Sequence, residues 1–83
     1  MKRAYLKCIK KEGEDFKDEY VVKIDLFNGW TDSAKINIED LGKKGDLKVN
    51  IIEDYGEKAL IILPKRFPKG DTALVSTENL NSD

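Results

Sequence analysis

The sequence predicts an all-β domain, folded as a small antiparallel barrel of the SH3-like kind with five or six strands. Two observations support this class. Apolar and polar residues alternate with a period of two in several short runs, which is typical of half-buried strands. Turn residues such as Gly, Asn and Asp interrupt these runs roughly every ten residues. A compact β-sandwich of the same strands is the alternative fold.

The first part of the chain predicts a β-hairpin. Residues 2–11 alternate as a strand and lead into a polar tip at residues 12–15. Residues 19–27 form the clearest strand, with one apolar face made of Tyr20, Val22, Ile24 and Leu26. We therefore expect these two strands to pair with each other.

The third segment allows two interpretations. Residues 34–39 resume the period of two, which predicts a strand. A helix over residues 32–41, ended by Gly42, competes because it would also gather apolar side chains on one face. Ile and Asn are weak helix formers, so the strand is favoured.

The second half of the chain predicts three further strands. The fourth begins at Leu47, and the apolar run at residues 59–63 predicts a central fifth strand covered on both faces. Pro64 has no backbone N–H to donate, so we expect that strand to end near Leu63 and residues 64–68 to be irregular.

The last strand is expected at residues 72–75, followed by a single helical turn at residues 76–80. Residues 81–83 are expected to fray. The chain of 83 residues allows one hydrophobic core. Residues 1–80 are therefore predicted to form a single β domain.

Charge and cysteine content narrow the functional classes. The sequence contains fifteen Lys and Arg residues and sixteen Asp and Glu residues, which gives a formal net charge of −1. This balance does not indicate a function that depends on the overall charge of the chain, such as nucleic-acid binding by a basic protein. Cys8 is the sole cysteine and cannot form an internal disulfide, and no leader segment is recognised. We expect a cytoplasmic protein without a membrane span.

The sequence contains no histidine, which removes the usual general base and the commonest transition-metal ligand. We therefore expect no enzymatic activity, no cofactor and no metal site. Two groups of acidic residues are interpreted as solvated loop charge, because neither has calcium-loop spacing. The groups are Asp15, Asp18 and Glu19, and Glu53, Asp54 and Glu57. Cys8 is interpreted as an inert core residue.

Basic and aromatic residues are interleaved in the sequence, and eight of them form the candidate binding set. Exposed aromatics beside cations are typical of small barrels that bind single-stranded nucleic acid. The alternative is that Trp30 closes one end of the core and Phe27 packs under a loop. The candidate set is Phe27, Trp30, Lys43, Lys44, Lys65, Arg66, Phe67 and Lys69.

The function expected from these observations is a non-catalytic module that binds another protein. An inhibitor or adaptor encoded by a phage or mobile element is one form that fits the small size and balanced charge. A barrel that binds nucleic acid is the alternative function. The domain is expected to be a monomer or a homodimer.

Overall fold

A computed structural model describes residues 1–12 and 18–82, except for the side chain of Glu12. The described chain contains strands and two short 3₁₀ turns, Ile38–Asp40 and Thr77–Asn79, and has no α-helix. The strands are β1 Lys2–Leu6, β2 Ile9–Glu12, β3 Glu19–Asp25, β4 Thr31–Asn37, β5 Leu47–Asp54, β6 Lys58–Phe67, β7 Gly70–Ser76 and β8 Leu80–Asn81.

The strands form two antiparallel sheets. A curled five-stranded sheet has the order β7-β6-β5-β1-β8, and a three-stranded sheet has the order β2-β3-β4. This arrangement confirms the all-β prediction and is compatible with a small barrel. Eight strands are described, against the five or six that were predicted.

One additional strand arises because the predicted strand at residues 2–11 is divided at Lys7 and Cys8. β1 pairs with β5 and β8, whereas β2 pairs with β3 in the other sheet. The backbone N–H of Lys7 donates to the carbonyl of Asn79 at 2.8 Å, outside both strands. The predicted hairpin is therefore formed by β2 and β3, and most of its expected tip lies outside the described residues.

β4 confirms the strand that was favoured over a helix at residues 34–39, although it begins earlier, at Thr31. Its inward positions are Asp32, Ala34 and Ile36. The 3₁₀ turn that follows β4 ends the alternation.

β6 continues through Pro64 to Phe67, so the expected end near Leu63 was wrong. The pairing between β6 and β7 shifts register between Ile62 and Phe67, and residues 63–66 have no partner on β7. Pro64 is therefore tolerated, because the irregular pairing does not require an N–H from it. β6 lies between β5 and β7, so it is an interior strand, as predicted for residues 59–63, but it is next to the edge strand β7. Its side chains alternate between half-buried and buried over residues 58–63, so the two faces are not covered equally.

The C-terminal segment closes the five-stranded sheet. The 3₁₀ turn Thr77–Asn79 confirms the single helical turn expected there. It is followed by β8, in which Leu80 pairs with Leu6 and Asn81 pairs with Tyr5. Among the residues described, no helix is long and apolar enough to cross a membrane.

The core lies between the two sheets and takes side chains from both. Phe67 is the largest fully buried side chain, with 1% of its surface exposed. The core cluster consists of Ala4, Leu6, Val22, Ile24, Ile36, Leu41, Leu47, Val49, Ile61, Leu63, Phe67 and Val75. Removal of these side chains from water supplies the main driving force for folding.

We predict that Phe67→Ala lowers the free energy of unfolding by about 3–5 kcal/mol, because it leaves a cavity in the core. The neighbouring exposed side chain provides the control, and Arg66→Ala should change that free energy by less than about 0.5 kcal/mol. Urea unfolding measures both values. Equal effects of the two substitutions would contradict the core position of Phe67.

Candidate binding surfaces

Two loops of five residues share one backbone geometry and carry four of the eight candidate side chains. In residues 26–30, the N–H of Leu26 donates to the carbonyl of Trp30, and the N–H of Gly29 donates to the carbonyl of Leu26. Residues 42–46 repeat both bonds, with Gly45 in the place of Gly29. Gly29 and Gly45 have φ values of 88° and 84°, where a side chain would be strained.

Trp30 projects from the first loop into solvent, with 64% of its surface exposed. The alternative in which Trp30 closes the core is therefore wrong. Its backbone N–H donates to the side-chain oxygen of Asn28 at 3.0 Å, which stabilises the loop. The ammonium of Lys69 lies 5.0 Å from the centroid of the Trp30 ring, within the range of a cation–π interaction.

Asp32 holds Lys69 in this position, and it was missing from the candidate set. Its carboxylate is buried, with 8% exposure, and accepts the backbone N–H groups of Ser33 and Lys69 at 3.0 Å each. The Lys69 ammonium also donates to the carbonyl of Thr31. The sequence signal was an acidic residue in phase with Ala34 and Ile36, but the predicted strand began too late to include it.

Phe27 lies beside β7, one of the two edge strands of the five-stranded sheet, and is 40% exposed. Its backbone N–H donates to the carbonyl of Leu74 in β7 at 2.8 Å, which attaches the loop to that edge. The ammonium of Lys58 lies 5.3 Å from the centroid of the Phe27 ring. Each of the two exposed rings therefore has a lysine beside it.

We call Phe27, Trp30, Lys58 and Lys69 the Trp30 surface. A groove of about 240 Å³ adjoins it, between the loop at residues 26–30 and β7. The groove is lined by Leu26, Phe27, Asn28, Asp32, Lys69, Thr72, Ala73 and Leu74. Apolar and polar groups thus meet at one concave site.

Lys65, Arg66 and Phe67 follow one another at the end of β6, but they do not share a role. Lys65 and Arg66 are exposed. Phe67 is buried in the core, because β6 continues past Pro64 and Phe67 lies on the same inward face as Ala59, Ile61 and Leu63. We therefore remove Phe67 from the binding set, since it cannot contact a ligand without unfolding.

Lys43 and Lys44 lie on the second loop and belong to a different surface. They line a depression of about 560 Å³ that we call the Tyr5 cavity. Its lining residues are Tyr5, Gly42, Lys43, Lys44, Asp46 and Asn81, none of which lines the groove beside Trp30. Phe27, Trp30 and Lys69 therefore belong to the Trp30 surface, and Lys43 and Lys44 line the Tyr5 cavity. Lys65 and Arg66 line neither site.

Cys8 is half-buried, and its thiol donates to the carbonyl of Gly45 at 3.5 Å. Burial raises the pKa of this thiol, and the charge of Asp46 raises it further. Both effects disfavour the nucleophilic thiolate. In the described part of the chain, no group of three or more His, Cys, Asp or Glu side chains is arranged to hold a metal ion.

No family model, curated protein or solved structure matches this chain.

We predict that Asp32→Ala lowers the free energy of unfolding by about 1–3 kcal/mol, because it leaves the partly buried N–H of Lys69 without its acceptor. Asp25→Ala removes an exposed carboxylate at the end of β3 and serves as the control. Urea unfolding compares the two variants, and hydrogen exchange should show faster exchange at Lys69 in Asp32→Ala alone. Similar stability and exchange in both variants would refute the role of Asp32.

We predict that Cys8 reacts more slowly with a disulfide reagent at pH 8 in the folded chain than in urea. Its pKa is raised on folding, so the neutral thiol favours the folded state below the unfolded-state pKa. That contribution to stability is lost as the pH rises through the folded-state pKa. Cys8→Ser should therefore lose less stability than the wild type over this alkaline range, and identical pH profiles would contradict the shift.

Proposed function

We propose that this chain is a small non-catalytic domain that binds another protein, with the Trp30 surface as the contact. The observation that carries the proposal is the 64% exposure of the sole tryptophan on a hydrogen-bonded loop. A large apolar ring in water is unfavourable, and a partner that covers it gains hydrophobic stabilisation. Tryptophan is also enriched among the residues that dominate binding energy at protein interfaces.

The order of the loop supports this function as well. Hydrogen bonds within residues 26–30 and from Phe27 to Leu74 hold the aromatic side chains on a defined backbone. Binding through such a loop loses little conformational entropy, which leaves more of the contact energy as affinity. The groove beside Phe27 offers a concave place for one partner side chain.

The charges around the aromatic rings favour a partner with an acidic surface. Lys58 and Lys69 lie beside the rings, and Lys65 and Arg66 are exposed at the end of β6 that leads to Lys69, opposite the end at Lys58. Cations at the rim of an interface accelerate association with an acidic protein. This chemistry fits an inhibitor or adaptor, including one encoded by a phage or mobile element, that occupies an acidic site on its target.

A second candidate function is the binding of single-stranded nucleic acid. The observation that favours it is the placement of the Lys69 ammonium 5.0 Å from the exposed Trp30 ring. A base stacked on Trp30 would put its phosphate within reach of that lysine. The balanced net charge of the chain gives this candidate less support.

We also propose a type of barrel and a cellular location for the protein. β5, β6 and β7 are consecutive antiparallel neighbours, and a 3₁₀ turn leads into β8, which pairs with β1. We take this connectivity as support for an SH3-like barrel. The unpaired Cys8 supports a reducing, cytoplasmic location.

Trp30 provides the test, because it is the sole tryptophan of the chain and its replacement by 5-fluorotryptophan gives one ¹⁹F resonance that no extract protein contributes to. We predict that this resonance shifts when fractions of an extract from the source cells contain the partner. Trp30→Ala should abolish capture of that partner while changing the free energy of unfolding by no more than about 1 kcal/mol, the value of an exposed cation–π contact. Protease treatment of the fraction should remove the shift, whereas nuclease treatment should not.

Tyr55→Ala is the matched control, since Tyr55 is an aromatic residue with 52% exposure in the connection between β5 and β6. It should leave capture unchanged. A spectral shift that nuclease removes and that weakens steeply with salt would replace the proposal with the nucleic-acid function. Capture that survives Trp30→Ala would refute the assigned surface.

A further inference from the structure

The Tyr5 cavity combines a half-buried aromatic ring with two exposed lysines, and the proposed protein contact uses none of these groups. Its volume of about 560 Å³ lies within the range of roughly 300–1,000 Å³ that is typical of small-ligand pockets. The cavity is therefore large enough to be a separate binding site for a small ligand.

Tyr5 occupies the middle of a row that crosses three strands of the five-stranded sheet. It pairs with Lys48 in β5 on one side and with Asn81 in β8 on the other. These three side chains therefore project from the same face of the sheet, opposite the core residues Ala4 and Leu6.

Gly42 packs directly against the Tyr5 ring. A β-carbon at Gly42 would lie 2.7 Å from ring atoms Cδ1 and Cε1, so any side chain there would displace the ring. The glycine thus permits the loop at residues 42–46 to lie close to Tyr5. One part of the ring is supported by this backbone, and the remainder borders the cavity.

Lys43 and Lys44 occupy the two central positions of that loop and are exposed. Among residues 1–12 and 18–82, neither side chain has an ion-pair partner. Lys48 differs, because its ammonium donates to the carbonyl of Glu39 at 2.9 Å. The cavity therefore offers two ammonium groups that have no partner among the described residues, and its lining contains one carboxylate, that of Asp46.

This combination of groups matches the chemistry of a nucleotide. An aromatic ring provides a stacking surface for a base, and two lysines provide positive charge for a phosphate. The Asn81 side chain adds an amide that can both donate to and accept from the edge of a base. A purely inorganic anion would leave the aromatic ring and the amide without a role.

We infer that the Tyr5 cavity binds a nucleotide unit, with the base on Tyr5 and Asn81 and the phosphate on Lys43 and Lys44. The unit is either a free nucleotide or one residue of a single strand, since both present the same base and phosphate. This site is separate from the proposed protein contact. None of its lining residues lines the groove beside Phe27.

The first experiment titrates the full chain with AMP and with adenosine and follows the backbone amides by NMR. AMP should shift the signals of Tyr5, Lys43, Lys44 and Asn81, and adenosine should bind more weakly because it lacks the phosphate. Tyr5→Leu should weaken AMP binding by about tenfold through loss of stacking. Shifts confined to other residues, or none at millimolar AMP, would overturn the inference.

The second experiment measures fluorescence anisotropy with a labelled oligo(dA) strand over a range of salt concentrations. If the strand binds more tightly than AMP, the site is assigned to single-stranded nucleic acid. If the strand binds no more tightly than AMP, the site is assigned to free nucleotides. In the first case, K43Q/K44Q should reduce the slope of log affinity against log salt by about 1.4, the value for two lost phosphate contacts.

K11Q/K23Q is the matched control, because it removes the same charge from exposed positions of β2 and β3 in the other sheet. AMP binding should weaken in K43Q/K44Q and remain unchanged in the control. Equal weakening in both double variants would show general charge attraction and overturn the site. Gly42→Ala, which displaces the Tyr5 ring without removing a ligand group, should also weaken AMP binding.

Discussion

The buried carboxylate of Asp32 connects the three-stranded sheet to the turn between β6 and β7, and the exposed aromatic surface depends on that connection. Its oxygens accept the backbone N–H groups of Ser33 and Lys69. A buried carboxylate without such partners would be strongly unfavourable, so the backbone of Lys69 is held close to β4. The Lys69 ammonium then lies beside the Trp30 ring. A polar contact at the border of the core therefore sets the chemistry of a surface that reaches solvent.

The two candidate surfaces arise from one type of loop with different side chains. Residues 26–30 and 42–46 share their hydrogen bonds and the position of a glycine with positive φ. The first loop carries Phe27 and Trp30, whereas the second carries Lys43 and Lys44. Because the backbone is alike, the difference between an apolar contact and a cationic one comes from the side chains that each loop carries and from the neighbouring strand. The first loop adjoins β7, and the second lies against Tyr5 in β1.

Most of the strands could be predicted because local alternation of apolar and polar residues reflects which side of a sheet faces the core. The predictions at Lys7 and at Pro64 were wrong for non-local reasons. Lys7 leaves β1 because its N–H bonds to Asn79, which is 72 positions away in the sequence. β6 passes Pro64 because its pairing with β7 shifts register there. The residues around Lys7 do not reveal its acceptor, and the residues around Pro64 do not reveal the register of β6 against β7. In each case the partner in the sheet determines the outcome.

The sequence by itself determined the all-β class, the turn positions marked by glycine, and the absence of histidine chemistry, because these follow from composition and short-range pattern. Only the tertiary structure decided which aromatic residues reach solvent. Trp30 and Phe67 both lie next to turn residues in the sequence, yet Trp30 is exposed, whereas Phe67 is buried because β6 continues past Pro64. Tyr5 and Lys43 meet only because β1 pairs with β5 beside the second loop. Burial and proximity are properties of strand pairing across the whole chain, and no local pattern contains them.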